Sequence, residues 1–297
     1  MSHALVLVGD PLPEGAEDSA TAILTAFDAS PTDGKVLSVR RASELMVEGI
    51  GDRESTITAA IREALPEVDV AVAPLANRRK KLLCADMDAT IVVGETIDEL
   101  ADALGIKEEV AAITERAMRG ELDFEQALDA RVAMLKGLAA TKIDHVAQSL
   151  TYMPGATALV ATMRKHGSDC VLVSGGFDRV TSVVRETLNF HLDKSNHLEV
   201  GSDGTLVGTV RKPVVGAETK RALLLERAEL SGIDASECVA IGDGANDCLM
   251  VERAGMGIAF QAKPKLKSVT NFHIDHTDLR TVLYFQGYSD AVIIEKP

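Results

Sequence analysis

Two carboxylates that follow a short apolar run are the residues in this chain best suited to do chemistry. Asp86 and Asp88 come directly after residues 82–85, whose apolar and small side chains predict a buried strand. In a parallel α/β sheet, ligands bind just outside the carboxyl ends of the strands. Two acids at such an edge repel each other unless a cation or a shared proton relieves them. The pair therefore predicts a metal site, a role in proton transfer, or both.

A second pair of acids, Asp243 and Asp247, follows the apolar run at residues 238–241. The four-residue spacing places both side chains on one face of a helix that begins there. The alternative is that they only cap this helix, as aspartate often does. If both pairs lie at the same sheet edge, their oxygen ligands suit Mg²⁺, which keeps room for water and a phosphate.

An anion site is predicted at a third strand end, where Ser174 is followed by Gly175 and Gly176. A hydroxyl and bare backbone N–H groups at a helix start bind anions, although an ordinary glycine turn with a serine cap gives the same pattern. A phosphate there needs a cation to balance the acids, and Lys220 is the candidate. The alternative for Lys220 is a solvated surface lysine.

Residues 97–150 have a helical pattern, and three side chains there or just before it are candidates for substrate binding. Arg131 shares an apolar face with Phe124, so its guanidinium either pairs within the protein or clamps a substrate carboxylate. Glu95 either meets a substrate ammonium or complements a helix dipole. Met118 by itself is typical of core packing.

The elements that position these residues alternate between strands and helices at residues 82–95 and again from residue 155 onward. This order predicts a parallel α/β sheet, with residues 97–150 as a helical insertion beside it. The first 75 residues follow the order β-α-β-β-α-β, a ferredoxin-like pattern.

Three local predictions complete this outline. The charged run at residues 77–81 predicts a solvated linker. Thr96 and Glu99 have the spacing of a capping box at a helix start. Residues 190–215, which alternate in short pieces around two glycines, predict a hairpin.

Composition limits the classes of function. The chain has 297 residues, a net charge of −14 and 3% aromatic residues, which disfavours binding to nucleic acid or anionic lipid. With 46% hydrophobic and 26% charged residues it is long and apolar enough for two or three folded domains. No apolar stretch reaches the roughly 18 residues of a membrane helix, and the N-terminus predicts a strand rather than a signal peptide. Four scattered cysteines suit a reducing cytoplasm.

Taken together, the motifs resemble those of the haloacid dehalogenase-like phosphatases. The resemblance spans about residues 80–288. The four ordered core motifs are residues 86–90, residues 174–176, Lys220 and residues 242–247. Residues 95–100, 116–120, 124–126 and 131–132 are similar to the cap of the phosphoserine phosphatases within that family. One departure is Ala89, where those enzymes usually carry serine. The N-terminal residues resemble amino-acid-binding ACT modules.

The resemblance implies an α/β protein with a Rossmann-like parallel core. Residues 77–94 and 155–297 would form the catalytic core, residues 95–154 a helical cap, and residues 1–76 a small α+β module. A homodimer is one assembly that the sequence leaves open. No nucleic acid or membrane partner is expected.

It also implies an Mg²⁺-dependent phosphatase that acts on O-phospho-L-serine through an aspartyl-phosphate. Asp86 would be the nucleophile and Asp88 the proton carrier. The implied metal ligands are Asp86, the carbonyl of Asp88 and Asp243, with Asp247 orienting them. The implied substrate-binding residues are Glu95, Met118, Phe124, Arg131, Ser174, Gly175, Lys220 and Asn246.

Two alternatives of function remain. The same core and cap suit another small phosphomonoester, or a phosphotransferase that passes the group to an alcohol other than water. In a different class, the chain would be an amino-acid-sensing binding protein that uses its N-terminal module as the sensor. The complete set of acids, serine and lysine favours an active enzyme over this second alternative.

Overall fold

The computed structural model describes residues 2–118 and 121–296, except for the side chain of Met118. Its N-terminal part has the predicted β-α-β-β-α-β order, and the antiparallel sheet is arranged β2-β3-β1-β4. The elements are β1 (His3–Val8), α1 (Ala16–Ala26), β2 (Ser30–Ser38), β3 (Ala42–Glu48), α2 (Glu54–Ala64) and β4 (Asp69–Pro74).

Strand β1 explains how this small sheet joins the rest of the molecule. Leu5 and Leu7 pack on the face covered by α1 and α2, whereas Val6 and Val8 belong to the main core of the protein. Successive side chains of a strand point to opposite faces, so the unbroken apolar run of β1 marks a sheet that is buried on both sides. The N-terminal module is therefore packed firmly against the remainder of the chain.

The prediction of a solvated linker at residues 77–81 is wrong for Arg78 and Lys80, while the other three residues are exposed. Arg78 is buried, pairs with Glu44 of β3 at 2.6 Å and donates from Nε to the carbonyl of Phe285 at 2.8 Å. Lys80 is also buried and donates from Nζ to the carbonyl of Ser236 at 2.7 Å. A buried charge requires such partners. Arg78 finds one of them in the N-terminal module, whereas Lys80 finds its acceptor in the remainder of the chain.

The rest of the chain forms the predicted parallel sheet, in the order β12-β11-β10-β5-β6-β7, with helices around it. Its strands are β5 (Leu82–Ala85), β6 (Asp169–Phe177), β7 (Leu192–Asn196), β10 (Cys238–Gly242), β11 (Met256–Phe260) and β12 (Phe272–Ile274). Its helices are α7 (Ala156–Lys165), α8 (Asp178–Leu188), α9 (Ala217–Leu230), α10 (Cys248–Arg253), α11 (Pro264–Lys267) and α12 (Arg280–Phe285). Since β5, β6 and β10 are neighbours, their carboxyl ends meet at one edge.

A helical insertion, here called the cap, leaves the sheet after β5 and returns before α7. It contains α3 (Thr96–Leu104), α4 (Lys107–Met118), α5 (Phe124–Met134) and α6 (Ala140–Ser149). The two connections to the core pair with each other. Val93 N–H donates to Thr151 O at 2.8 Å, and Met153 N–H donates to Ile91 O at 2.9 Å. The cap is thus joined to the core through a narrow two-stranded neck.

The predicted hairpin at residues 190–215 is correct for only part of that segment. β8 (Leu198–Val200) and β9 (Leu206–Val210) form the hairpin, but β7 joins the parallel sheet beside β6. The hairpin contacts the turn between α5 and α6, where Leu206 N–H donates to Leu138 O at 2.8 Å. This contact holds one side of the cap on the core. No helix of the described residues is long and apolar enough to cross a membrane.

Candidate active site

A buried lysine joins the two acidic motifs at the edge of the sheet. Lys220 Nζ lies 2.8 Å from an oxygen of Asp86 and 2.8 Å from an oxygen of Asp247. Lys220 and Asp247 are both 0% exposed, so the alternative of a solvated lysine is wrong. Although burial alone lowers the pKa of Lys220, the two carboxylates outweigh it and raise the pKa above its ordinary value. The two carboxylates therefore favour the charged ammonium form.

Three carboxylates lie close enough to share one metal ion. Asp86, Asp243 and Asp247 each present an oxygen, and these oxygens all lie within 4.8 Å of one another. Burial raises the pKa of Asp86, and the neighbouring Asp247 adds to the rise. Burial likewise raises the pKa of Asp243. A buried group of oxygen ligands whose charges repel one another fits a hard divalent cation such as Mg²⁺.

Gly242 at the end of β10 allows this cluster to form. A Cβ atom at this position would lie 2.2 Å from Cγ of Asp247, which is far closer than atoms can approach. Asp247 therefore folds back over Gly242, and its second oxygen accepts the N–H of Gly244 at 3.1 Å. This bond to Gly244 caps the short 3-10 helix Ala245–Asp247, but the Asp247 side chain makes no capping bond to α10. Because it also pairs with Lys220, the alternative that Asp247 only caps a helix is wrong.

Asp88 is held from the cap rather than from the core. Both the backbone N–H of Thr96, at 3.1 Å, and its hydroxyl donate to Oδ1 of Asp88. Burial raises the pKa of Asp88, and the two Thr96 donors partly oppose this rise. The predicted capping box is absent at the start of α3, where residue 95 is the N-cap and Thr96 turns to Asp88 instead. Sequence reasoning missed this role of Thr96.

The residues of the predicted anion site line the same cavity as these acids. Ser174 is fully buried, and its Oγ accepts the N–H of Gly176 at 2.8 Å. All three residues of this motif lie within β6, and α8 begins only at Asp178. Both the predicted helix start and the alternative of a simple glycine turn are therefore wrong. A Cβ atom at Gly175 would lie 3.1 Å from the Phe124 ring and 3.7 Å from the Asn246 amide nitrogen. A side chain at position 175 would therefore crowd the Phe124 ring, and glycine keeps this part of the cavity wall open.

A cavity of about 520 Å³ opens between this edge of the sheet and the cap. The predicted site residues that line it are Asp86, Asp88, Glu95, Phe124, Arg131, Ser174, Gly175, Asp243 and Asn246. Lys220 and Asp247 support its floor through their contacts with Asp86 and Gly244. Met118 belongs to α4, but its side chain and residues 119–120 lie outside the described residues.

Two charged side chains in the cavity wall are available to a ligand. The Nε of Arg131 donates to Ala127 O at 3.3 Å, and within residues 2–118 and 121–296 no ion pair engages its guanidinium. Of the two alternatives for Arg131, an ion pair within the protein is therefore not found among the described residues. Burial, together with the nearby Asp88, raises the pKa of Glu95 to about 7. Glu95 would gain a full charge beside a ligand cation.

Sequence reasoning also missed Lys263. Its Nζ lies 3.4 Å from Oδ2 of Asp243, and its backbone N–H donates to Asp243 O at 2.9 Å. Lys265 lines the same cavity. Both lysines follow β11, the neighbour of β10, so inspection of every parallel strand end would have found them.

Comparison with known proteins places this architecture in a family. The model of the haloacid dehalogenase-like hydrolases matches residues 83–252. The chain belongs to this family of enzymes, which confirms the resemblance of its motifs and the α/β core with a cap.

Particular relatives narrow the resemblance. Phosphoserine phosphatase SerB2 of Mycobacterium tuberculosis is 40% identical over 98% of this chain and 73% of the relative. The unliganded structure of a probable phosphoserine phosphatase from Vibrio cholerae has a TM-score of 0.76 at 33% identity, covering 96% of this chain and 86% of the other. A structure described as a phospho-aspartyl intermediate analogue of phosphoserine phosphatase has a TM-score of 0.65 at 40% identity. It covers 70% of this chain and 99% of the other.

Proposed function

We propose that this protein is an Mg²⁺-dependent phosphoserine phosphatase, which hydrolyses O-phospho-L-serine to L-serine and phosphate through an aspartyl-phosphate. The observation that carries the proposal is one cavity that joins a buried nucleophile candidate, Asp86, to Glu95 and to the guanidinium of Arg131, which has no ion pair among the described residues. Phosphate, carboxylate and ammonium groups of one amino acid match these three positions. The names of the relatives support the same substrate.

Mg²⁺ would be held by Asp86, the backbone carbonyl of Asp88 and Asp243, with Asp247 orienting the group. When bound, it would neutralise phosphoryl oxygens and polarise the phosphorus centre. The fit rests on the three carboxylate oxygens within 4.8 Å of one another.

In the first step, Asp86 attacks phosphorus. Its Oδ1 already accepts the N–H of Met87 at 2.7 Å and contacts Lys220, so we assign the attack to Oδ2. The phosphorus–serine oxygen bond breaks as the aspartyl-phosphate forms. Asp88 gives its proton to the leaving serine oxygen, and its raised pKa keeps that proton available.

In the second step, Asp88 takes a proton from water as that water attacks the phosphorus of the aspartyl-phosphate. The bond between phosphorus and the Asp86 oxygen breaks, which releases phosphate and regenerates the free carboxylate. Throughout, the phosphoryl oxygens are neutralised by the Lys220 ammonium and accept hydrogen bonds from the Ser174 hydroxyl and the Gly175 N–H. Asn246 supports that site.

The cap supplies recognition. Arg131 binds the substrate carboxylate, Glu95 binds its ammonium group, and Met118 and Phe124 close the pocket. We propose the division into residues 1–76, a core of 77–94 and 155–297, and a cap of 95–154 that opens and shuts about its neck to exclude water.

The decisive experiment is phosphate release from a panel of phosphomonoesters, with and without Mg²⁺. Phosphoserine should be the best substrate, and chelation should abolish its turnover. Preference for another monoester would overturn the substrate assignment. Formation of a phosphorylated alcohol instead of free phosphate would indicate the phosphotransferase alternative.

We further propose that the reaction completes serine biosynthesis in the cytoplasm. Four buried free cysteines support a reducing location. A homodimer stays a prediction, which sedimentation of the full chain would test. Calorimetry with serine on the full chain carrying Arg131→Ala, which weakens binding of serine at the active site, would test the amino-acid-sensing alternative for the N-terminal module.

A further inference from the structure

The carboxylates of the active site are unequally supplied with counter-ions. Lys220 is shared by Asp86 and Asp247. Within residues 2–118 and 121–296, the one ion pair made by Asp243 is its contact with Lys263 at 3.4 Å. Asp243 is only 8% exposed, so without a metal or this lysine its charge would be almost unscreened by water.

The two lysines differ in their freedom to leave. Lys220 is 0% exposed, and removing it from its partners would strand a buried charge. The Lys263 side chain is 50% exposed, and its ammonium can move into water at little cost. Its backbone stays in place, because its N–H donates to Asp243 O at 2.9 Å. The chain thus keeps a mobile ammonium beside a metal-ligand candidate.

We propose that Lys263 is an exchangeable counter-ion, which neutralises Asp243 in the metal-free protein and withdraws when a divalent cation binds. An ammonium and a metal ion that share one carboxylate repel each other. The half-exposed Lys263 can relieve this repulsion by moving into water, whereas the buried Lys220 cannot. Glu95 lines the same cavity as Lys263 and offers the displaced ammonium a second carboxylate. The inference rests on the proposed metal site but not on the proposed substrate.

Titration calorimetry with Mg²⁺ tests this on the full chain after chelation of metal. Lys263→Met should tighten the Kd for Mg²⁺ by about tenfold at low ionic strength, because one repulsive charge near the metal is gone. The gain should shrink as salt is added, since the lysine is half exposed. Lys263→Arg keeps the charge and should stay within about twofold of the wild type. Lys265→Met is the matched control, because it removes a charge from the same cavity at a residue without an ion pair among the described residues.

Thermal unfolding supplies a second readout, which does not depend on the heat of Mg²⁺ binding. Lys263→Met should lower the Tm of the metal-free protein but leave the Tm at saturating Mg²⁺ unchanged. If the metal-free variant is unfolded, Mg²⁺-dependent refolding followed by circular dichroism gives its apparent Kd. An unchanged or weaker Kd in Lys263→Met, equal tightening in Lys265→Met, or no Mg²⁺ binding by the wild type would each overturn the inference. If Lys263→Met tightens Mg²⁺ binding as expected but the wild type does not hydrolyse phosphoserine, only the proposed function is overturned.

Discussion

Thr96 donates both its backbone N–H and its hydroxyl to one oxygen of Asp88, Oδ1. Thr96 is the first residue of α3 in the cap, whereas Asp88 follows β5 of the core. The orientation of the proposed acid and base therefore depends on where the cap begins. Because Oδ1 is occupied, Oδ2 is the oxygen left to exchange a proton with substrate or water.

Removal of the Thr96 hydroxyl should harm protonation of the leaving group. Thr96→Val should lower kcat for phosphoserine by about tenfold to a hundredfold, a part of what a general acid contributes. The loss on p-nitrophenyl phosphate should be smaller, because nitrophenolate leaves without a proton. Steady-state kinetics with both substrates measure the contrast. Thr96→Ser, which keeps the hydroxyl, should restore most of the activity, and equal losses on both substrates would contradict the role.

Replacement of the nucleophile should remove the covalent intermediate. Asp86→Asn should reduce kcat by at least about a thousandfold, because an amide does not form the phosphoenzyme. Acid quenching with labelled phosphoserine should trap phosphate on the wild type but not on the variant. Asp102→Asn, an exposed change in the cap, is the matched control. Full turnover by a well-folded Asp86→Asn protein would refute the mechanism.

Arg131 should determine substrate choice rather than chemistry. Arg131→Ala should lower kcat/KM for phosphoserine by about a hundredfold, because the substrate carboxylate loses its bidentate partner. The same variant should change kcat/KM for p-nitrophenyl phosphate by about threefold or less, since this substrate has no carboxylate. Arg131→Lys keeps the charge without the planar fork and should be intermediate. Parallel losses on the two substrates would argue against a carboxylate clamp.

Glu95 should make phosphoserine binding depend on pH near neutrality. Burial and Asp88 raise the pKa of Glu95 to about 7, so the carboxyl is neutral below that pH and charged above it. A neutral carboxyl does not pair with an ammonium, and KM for phosphoserine should therefore fall as the pH rises through about 7. The ratio of this KM to that for an amine-free alkyl phosphate cancels the titration of the phosphate itself. In Glu95→Gln the ratio should be independent of pH; a persistent pH dependence would assign the effect elsewhere.

Much of the site was predictable because its signals are local. An apolar run that ends in a carboxylate marks a strand end wherever the strand lies, and this places Asp86 and Asp243. Ser174 follows a similar apolar run but lies within β6 rather than at its end. The Asp243 motif also contains Gly242, a position at which any Cβ atom would collide with Asp247. The sequence by itself therefore determined the parallel α/β core, the helical insertion, the N-terminal module and the acidic residues of the cavity lining that follow β5 and β10.

Only the tertiary structure decided which charges are buried and which side chains from distant segments meet. Nothing local separates the buried Lys220 and Arg78 from solvated lysines and arginines, because desolvation depends on what packs over them. Thr96 has a capping-box pattern, yet the nearness of Asp88 directs its hydroxyl elsewhere. Lys263 reaches Asp243 because β10 and β11 are neighbours. Neighbouring strands and burial are long-range properties, and the sequence pattern around one residue does not contain them.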